Sequence, residues 1–336
     1  MYYVGLDVHW QQSTFCVLDE NGKKLSSRTV QGSWDKLLMA LGVVKKPFAI
    51  CFEASTGYGY LFEKLSLMAA KVTVAHPGQL RLIFRSKRKS DRVDAEKLAK
   101  LLYLDEVPPV YVPSAQVRSW RGLIEHRTGL LFERTRGKNE LRALLRSHGL
   151  AAPKGLWTAR GLAWLRERAF PCAFDAVRRD TLLERITSLN GMIKRVEVEL
   201  AKVADGHPGV QLLMTIPGVG IRTAEAVMAY IDKPERFHSV KAVGDYFGMV
   251  PCLDASAGKE RFGHITREGP ATVRRLLVEA AWQAIRRDAG IKARFERMMH
   301  ADPDRKKIAV VAVAHYLLRV MLAMLKTGEV WRGAAA

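Results

Sequence analysis

Four carboxylates and one serine are the side chains whose types and placing could do chemistry. Asp7 lies near the end of the apolar run YYVGLDV, and Glu53 ends a second such run, FAICFE. Strands paired in parallel bring their carboxyl ends to one edge of a sheet, so these two acids are placed to face each other. Asp91 and Asp94, in KSDRVDAEKLAK, share one face at the start of a helix. Gathered in one place, four carboxylates repel and raise each other's pKa unless divalent cations occupy the gap. Two magnesium ions about 4 Å apart, held this way, stabilise both the attacking and the leaving oxygen of phosphodiester cleavage. Each acid also has a plainer role: Asp91, after Ser90, complements a helix amino terminus, while Asp7 and Glu53 can be strand-end turn residues. As a set at these element ends they point to a metal site. His9 stands near Asp7, but alternation turns it to the same face only if the strand continues, and it ranks behind the acids.

The serine is Ser256, in PCLDASAGKERFGHITREG, which reads as a flexible cationic loop ahead of a helix from Pro270 to Arg287. Lys259, Arg261, Arg267, Arg274 and Arg275 surround the start of that helix, where cations oppose the macrodipole and stability alone does not favour them. With the free amides of the helix start they make a site for a phosphate. The bland alternative is a solvated basic loop with an ordinary turn serine.

The elements that must position these residues are an α/β unit followed by helices. At 336 residues the chain is long enough for two or three domains, each with its own core. YYVGLDV, STFCVLDE and KKLSSRTV read as three strands, the last two joined by an Asn21-Gly22 hairpin turn. A helix from about Trp34 to Val44, the strand FAICFE, a helix near Tyr60 to Ala70, the strand KVTVAH and a helix from Asp91 to Leu104 follow. The order βββαβαβα is that of the ribonuclease H fold, assigned to residues 1–110. Pro108, Pro109 and Pro113 mark a linker. Residues 114–204 are helical and basic, and Leu182, Ile186, Leu189, Ile193, Val196, Leu200 and Val203 form a heptad seam. A helical hairpin or coiled coil is expected there, broken around Pro153 to Pro171, its apolar edge covered within the chain or by a second copy. Residues 205–330 form a third, mainly α region. In it, Gly218 and Gly220 of IPGVGIRTA resemble the turn of a helix-hairpin-helix element, where glycines let backbone amides approach a phosphate.

Composition narrows the partner. A formal net charge of +20 repels itself unless a polyanion is near, so nucleic acid is expected ahead of a membrane surface. Cys16, Cys51, Cys172 and Cys252 show no paired spacing and read as reduced thiols of a cytoplasmic protein, neither zinc ligands nor disulfides. MYYVGLDVHW has no secretory signal pattern. Ile308 to Leu325 approaches the length of a membrane span, but His315 and Arg319 interrupt it, so a buried helix and no membrane partner are expected.

These motifs together resemble a family. Asp7 in GLDVH, Glu53 in FEAST, Asp91 and Asp94 in KSDRVDA, IPGVGIRTA, and GMVPCLDASAGKERFGHITREG are similar to the DEDD insertion-sequence transposases of the IS110 group, which include the related Piv-type DNA invertases. The resemblance covers nearly the whole chain. It implies a RuvC-like amino-terminal domain, a helical middle and a carboxy-terminal transposase domain. It also implies that Asp7, Glu53, Asp91 and Asp94 bind magnesium, and that Ser256 is a nucleophile forming a phosphoserine link to DNA. The implied partners are element-end and target DNA, a structured element-encoded guide RNA, and further copies of the chain in a dimer or tetramer, in a prokaryotic cytoplasm at the nucleoid. The chain departs from the family pattern in having Ala255 and Ala257 around Ser256, with Gly258 next. A serine ester suits recombination because it keeps the bond energy that hydrolysis by water would lose. Two other functions fit the same residues: a RuvC-like structure-specific nuclease using water, and a non-catalytic nucleic-acid-binding protein.

Overall fold

The computed structural model describes residues 1–83, 90–256 and 259–333, with residues 255, 256 and 259 by main chain only. The chain divides into two compact units, Met1–Arg118 and Ser119–Ala336.

In the first unit, apolar runs rich in β-branched and aromatic residues pair, with the polar edge strand Lys24–Gln31, into one sheet. Its strands are β1 (Tyr2–Val8), β2 (Gln12–Leu18), β3 (Lys24–Gln31), β4 (Phe48–Glu53) and β5 (Lys71–Ala75). Its helices are α1 (Trp34–Leu41), α2 (Tyr58–Ser66), α3 (Pro77–Ile83) and α4 (Asp91–Tyr103). The strand order is β3-β2-β1-β4-β5, with β1, β2 and β3 antiparallel and β1, β4 and β5 parallel. This mixed five-stranded sheet with helices is consistent with a ribonuclease H-like order. Asp19 Oδ1 accepts the N–H groups of Asn21 and Lys23, and Gly22 sits at φ 76°, as the hairpin turn requires.

Alternation splits the sheet residues between two layers. Val4, Leu6, Ile50 and Phe52 pack with Leu37 and Leu41 of α1 and Leu61 and Leu65 of α2. Tyr3, Ala49 and Cys51 turn to the opposite layer and meet Leu98, Leu101 and Leu102 of α4. Burial there pushes the Cys51 thiol up to about 12, so it stays protonated and inert.

On this second face α4 runs back along β1 rung by rung. Tyr3 meets Tyr103 edge-on at 5.3 Å. A Cβ on Gly5 would fall 2.1 Å from the Ala95 oxygen and 2.2 Å from the Ala99 nitrogen, so only glycine lets the helix come this near. Asp7, two residues further, is level with Asp91.

Two features of this unit depart from the sequence reading. α3 lies where the sequence reading has only a connection between the strand KVTVAH and the helix at Asp91; proline occupies its first helical position, and His76 Nδ1 accepts the Gln79 N–H at 3.3 Å. The proline-marked linker is held to the sheet: Pro109 bridges Ala75, and the Val110 N–H donates to the Val74 oxygen at 2.8 Å. It covers the outer edge of β5, where a proline's missing N–H costs little.

The second unit is largely helical. Its helices are α5 (Ala115–Ser147, which crosses the division), α6 (Ala159–Glu167), α7 (Ala173–Ala204), α8 (Pro208–Met214), α9 (Ile221–Ile231), α10 (Ala242–Tyr246), α11 (Ala271–Arg287), α12 (Ala289–Met299) and α13 (Lys306–Thr327). Leu130 packs with Leu189 and Ile193, and Leu141 and Leu145 pack with Leu183 and Ile186, so α5 and α7 run antiparallel. The central part of the heptad seam is thus covered within the chain. Pro303–Thr327 is long and apolar enough to cross a membrane, and half of its most apolar window is buried. Val313, Leu317, Leu318 and Met321 of α13 lie in the core of this unit.

β6 (Pro251–Ser256) and β7 (Lys259–Ile265) form a two-stranded antiparallel ribbon in the stretch that the sequence suggests is a flexible loop. Leu253 and Phe262 pair across it and are both exposed. Its described side chains are exposed or half-buried, so they leave no apolar alternation in the sequence, which is why it reads as a loop.

Candidate metal centre

β1 delivers Asp7 and β4 delivers Glu53. The parallel register Leu6↔Phe52 sets the two acids at neighbouring strand ends, and alternation turns both toward the α4 layer. α4 starts at Asp91 because Ser90 caps it, its Oγ accepting the Val93 N–H at 3.4 Å. Asp91 and Asp94 therefore stand in its first turn. All four acids line one cleft of about 680 Å³, together with His9, Ser55, Arg81 and Lys97.

Asp7, His9 and Asp91 come closest. One ligand atom of each lies within 4.8 Å of the others, and His9 Nε2 is 3.5 Å from Asp7 Oδ2. Sequence alternation placed His9 below the acids because β1 had to continue for it to belong. The strand ends at Val8, but a tight turn, closed by the His9 N–H to the Gln12 oxygen at 3.0 Å, keeps the imidazole beside Asp7.

Gln12 is a residue the sequence did not signal. Its Nε2 donates to Asp91 Oδ2 at 2.8 Å, and its Oε1 accepts from Gln31 Nε2 at 2.6 Å. The register Gln12↔Gln31 between β2 and β3 aims this pair, and no one-dimensional pattern reveals it. Hard carboxylate oxygens with one imidazole, carried on rigid strands and a capped helix, fit a divalent cation such as magnesium or manganese. Partners that orient a ligand contribute roughly 10–100-fold to metal affinity. Gln12→Ala is accordingly expected to weaken manganese binding by about that factor in a calorimetric titration; unchanged affinity would remove Gln12 from this role.

A model of the DEDD transposase domain of IS110 elements matches residues 4–149, and the model of the transposase IS116/IS110/IS902 family matches residues 210–296. The chain belongs to this family of transposases. The transposase for insertion sequence element IS1111A of Coxiella burnetii is 24% identical, over 99% of this chain and 92% of its own length. That for IS1328 of Yersinia enterocolitica is 24% identical, over 85% of this chain and 86% of its own. The y4qE protein of Sinorhizobium fredii is 29% identical, over 83% of this chain and 71% of its own.

In this IS110-family transposase the acids belong to the first unit and Ser256 to the second. Ser256 ends β6, its main chain paired with Lys259; the side chains of both lie outside the described residues. Of the other cations expected at a phosphate, Arg261 and Arg267 are exposed. Arg274 turns inward instead: its Nη1 donates to the carbonyls of Phe247 at 3.1 Å and Gly269 at 3.2 Å, and also to that of Glu268. Burial, then Arg267 beside it, lowers its pKa from the usual arginine value. Arg275 lies over the Phe132 ring at 5.0 Å and reaches Glu279 at 3.6 Å.

The two glycines of IPGVGIRTA also differ from one another. Gly218, at φ 91°, has no Cβ where one would lie 2.5 Å from the Ala284 nitrogen, so its bareness serves packing on α11. Gly220 precedes α9 with open space around it. These placements separate the cations by experiment. Arg261→Ala is expected to change stability by less than about 0.5 kcal/mol and to flatten the slope of log affinity against log salt by about 1. Arg274→Ala should cost about 1–3 kcal/mol in thermal unfolding because it orphans carbonyls. Equal melting of the two variants would contradict the clamp.

Proposed function

We propose that this transposase cuts and rejoins DNA with magnesium held by Asp7, Glu53, Asp91 and Asp94, with Ser256 as nucleophile and an element-encoded RNA as guide. The observation that carries the metal half is the approach of Asp7, His9 and Asp91 to within 4.8 Å in a cleft that Glu53 and Asp94 also line. Divalent cations, when bound, neutralise charge on the attacking and leaving oxygens of the phosphodiester. The chain's own part is to hold the carboxylates in place: β1 and β4 fix two, capped α4 fixes two, and Gln12 orients Asp91. The strand order of the first unit and this placing of acids at one edge support reading it as ribonuclease H-like.

In the serine step, Ser256 Oγ bonds to phosphorus as the bond from phosphorus to one strand oxygen breaks. The serine proton leaves, and a proton returns to the departing strand hydroxyl. The phosphate remains an ester, so reversal by another strand hydroxyl rejoins DNA without ATP. Arg261 and Arg267, both exposed, suit phosphate contacts of DNA or RNA. The guide RNA, and assembly into a dimer or tetramer, rest on the family likeness.

Incubating the purified protein with element-end DNA, its RNA and magnesium should yield a DNA adduct that mass spectrometry maps to Ser256. Ser256→Ala should yield none. Cleavage by Ser256→Ala without an adduct would make water the nucleophile, and an adduct surviving in that variant would move the attachment to another residue.

A further inference from the structure

The β1–β2 turn sets an indole in solvent next to His9, a residue of the acid cleft. Trp10 follows His9 in that turn and is 71% exposed. Turn positions favour small or polar residues, and an indole left in water gives up the apolar burial that is its main contribution to folding.

Two further rings join it. Trp10 meets Trp34 edge-on at 5.1 Å and 73°, and Trp34 stacks on Tyr60 at 5.9 Å and 24°. Tyr60 is itself 42% exposed, with Lys64 Nζ 5.6 Å from its ring centre. The rings come from the turn, α1 and α2, and the central one, Trp34, is fixed. Trp34 Nε1 donates to the His9 oxygen at 3.1 Å. Gly57, at φ 81°, lacks a Cβ that would fall 2.3 Å from the Trp34 ring. The cluster is thereby tied to the residue whose imidazole stands 3.5 Å from Asp7.

We infer that Trp10, Trp34 and Tyr60 form a platform on which an unpaired nucleobase stacks beside the phosphodiester held at the cleft. The inference rests on reading the cleft as a nucleic-acid cleavage site. Three observations favour a nucleobase over an apolar protein partner. The rings are joined to the acid cluster through His9, a lysine lies over one of them, and the chain carries a net charge of +20. Aromatic faces flanked by cations bind single strands with little sequence preference, because every base offers a π-face. A base inside a duplex shows no free face, so the platform engages a strand only where it is open.

The test compares a short labelled oligothymidylate with an abasic strand of equal length and charge by fluorescence anisotropy, in EDTA so that metal and cleavage play no part. The parent should bind the thymidylate strand at least about fivefold more tightly, the lower bound for one stacked base. Trp10→Ala should lose most of that preference while keeping its affinity for the abasic strand; Trp10→Phe, which keeps a ring, should retain it. Equal binding of both strands by the parent overturns the proposal, as does a Trp10→Ala protein that keeps the preference. If sedimentation shows Trp10→Ala losing self-association with the preference intact, the rings belong to a contact between copies. Manganese titration of the same proteins keeps the two readings apart: a parent that binds no metal strikes the cleft, whereas lost base preference with intact metal binding supports the platform.

Discussion

Gly5→Val is expected to abolish tight metal binding and to destabilise the first unit by more than an ordinary overpacked core substitution. The new Cβ would fall 2.1 Å from the Ala95 oxygen and 2.2 Å from the Ala99 nitrogen. Both are helix backbone, so no side-chain rotation relieves the overlap. β1 cannot yield either, because it is paired with β2 on one side and β4 on the other. α4 must lift, pulling Leu98, Leu101 and Leu102 from their contacts. Overpacking costs about 1–3 kcal/mol where side chains can adjust, and here the upper end is the floor. The same movement carries Asp91 and Asp94 away from Asp7. Thermal unfolding and manganese titration should both show the loss; a variant that melts with the parent and binds metal equally would mean that α4 does not depend on this contact.

Asp7→Asn should separate metal binding from folding. The amide keeps the volume of the carboxyl and loses its charge, so affinity for magnesium or manganese should fall by more than about 100-fold, the upper range for residues that merely orient a ligand. In EDTA the variant should melt close to the parent, since no core contact is removed. With metal at about 100 times its Kd, the parent gains about 2.7 kcal/mol by linkage and the variant gains almost none. DNA cleavage should disappear with the metal response. A variant whose melting temperature still rises with magnesium as the parent's does would exclude Asp7 from the site.

Much of the first unit was legible because its signals are local. Apolar runs bounded by turn residues marked β1, β4 and β5, and Asn21-Gly22 marked a hairpin that Asp19 indeed closes. The four acids stood out because each sits at the end of such a run or at a helix start, and the structure brings them to one cleft. What escaped depends on register or on turns. Gln12 reaches Asp91 only because β2 pairs with β3 at Gln31. His9 enters the cluster through a turn after the strand has ended. The basic stretch after Pro251 showed its charge but not its ribbon, since backbone pairing among described side chains that are exposed or half-buried leaves no pattern of apolar residues. Arg274 looked like Arg261 in the sequence, and only the carbonyls of Phe247, Glu268 and Gly269 set it apart.

The rungs between β1 and α4 behave as a vernier. Two strand residues advance about 6.8 Å, while the six helix residues from the middle of the Ala95–Ala99 step to Asp91 advance about 9 Å, so the two scales slip by roughly 2 Å at each rung. At Gly5 they are locked, because the strand touches the backbone at Ala95 and Ala99. Asp7 and Asp91 lie one rung from the lock, where the accumulated slip is still within the reach of the two side chains. Moved two or three rungs away, the same pair of acids would fall out of step by a bond length or more. A glycine in GLDVH thus acts as the zero mark of the scale, and the acids are read off where the error is least.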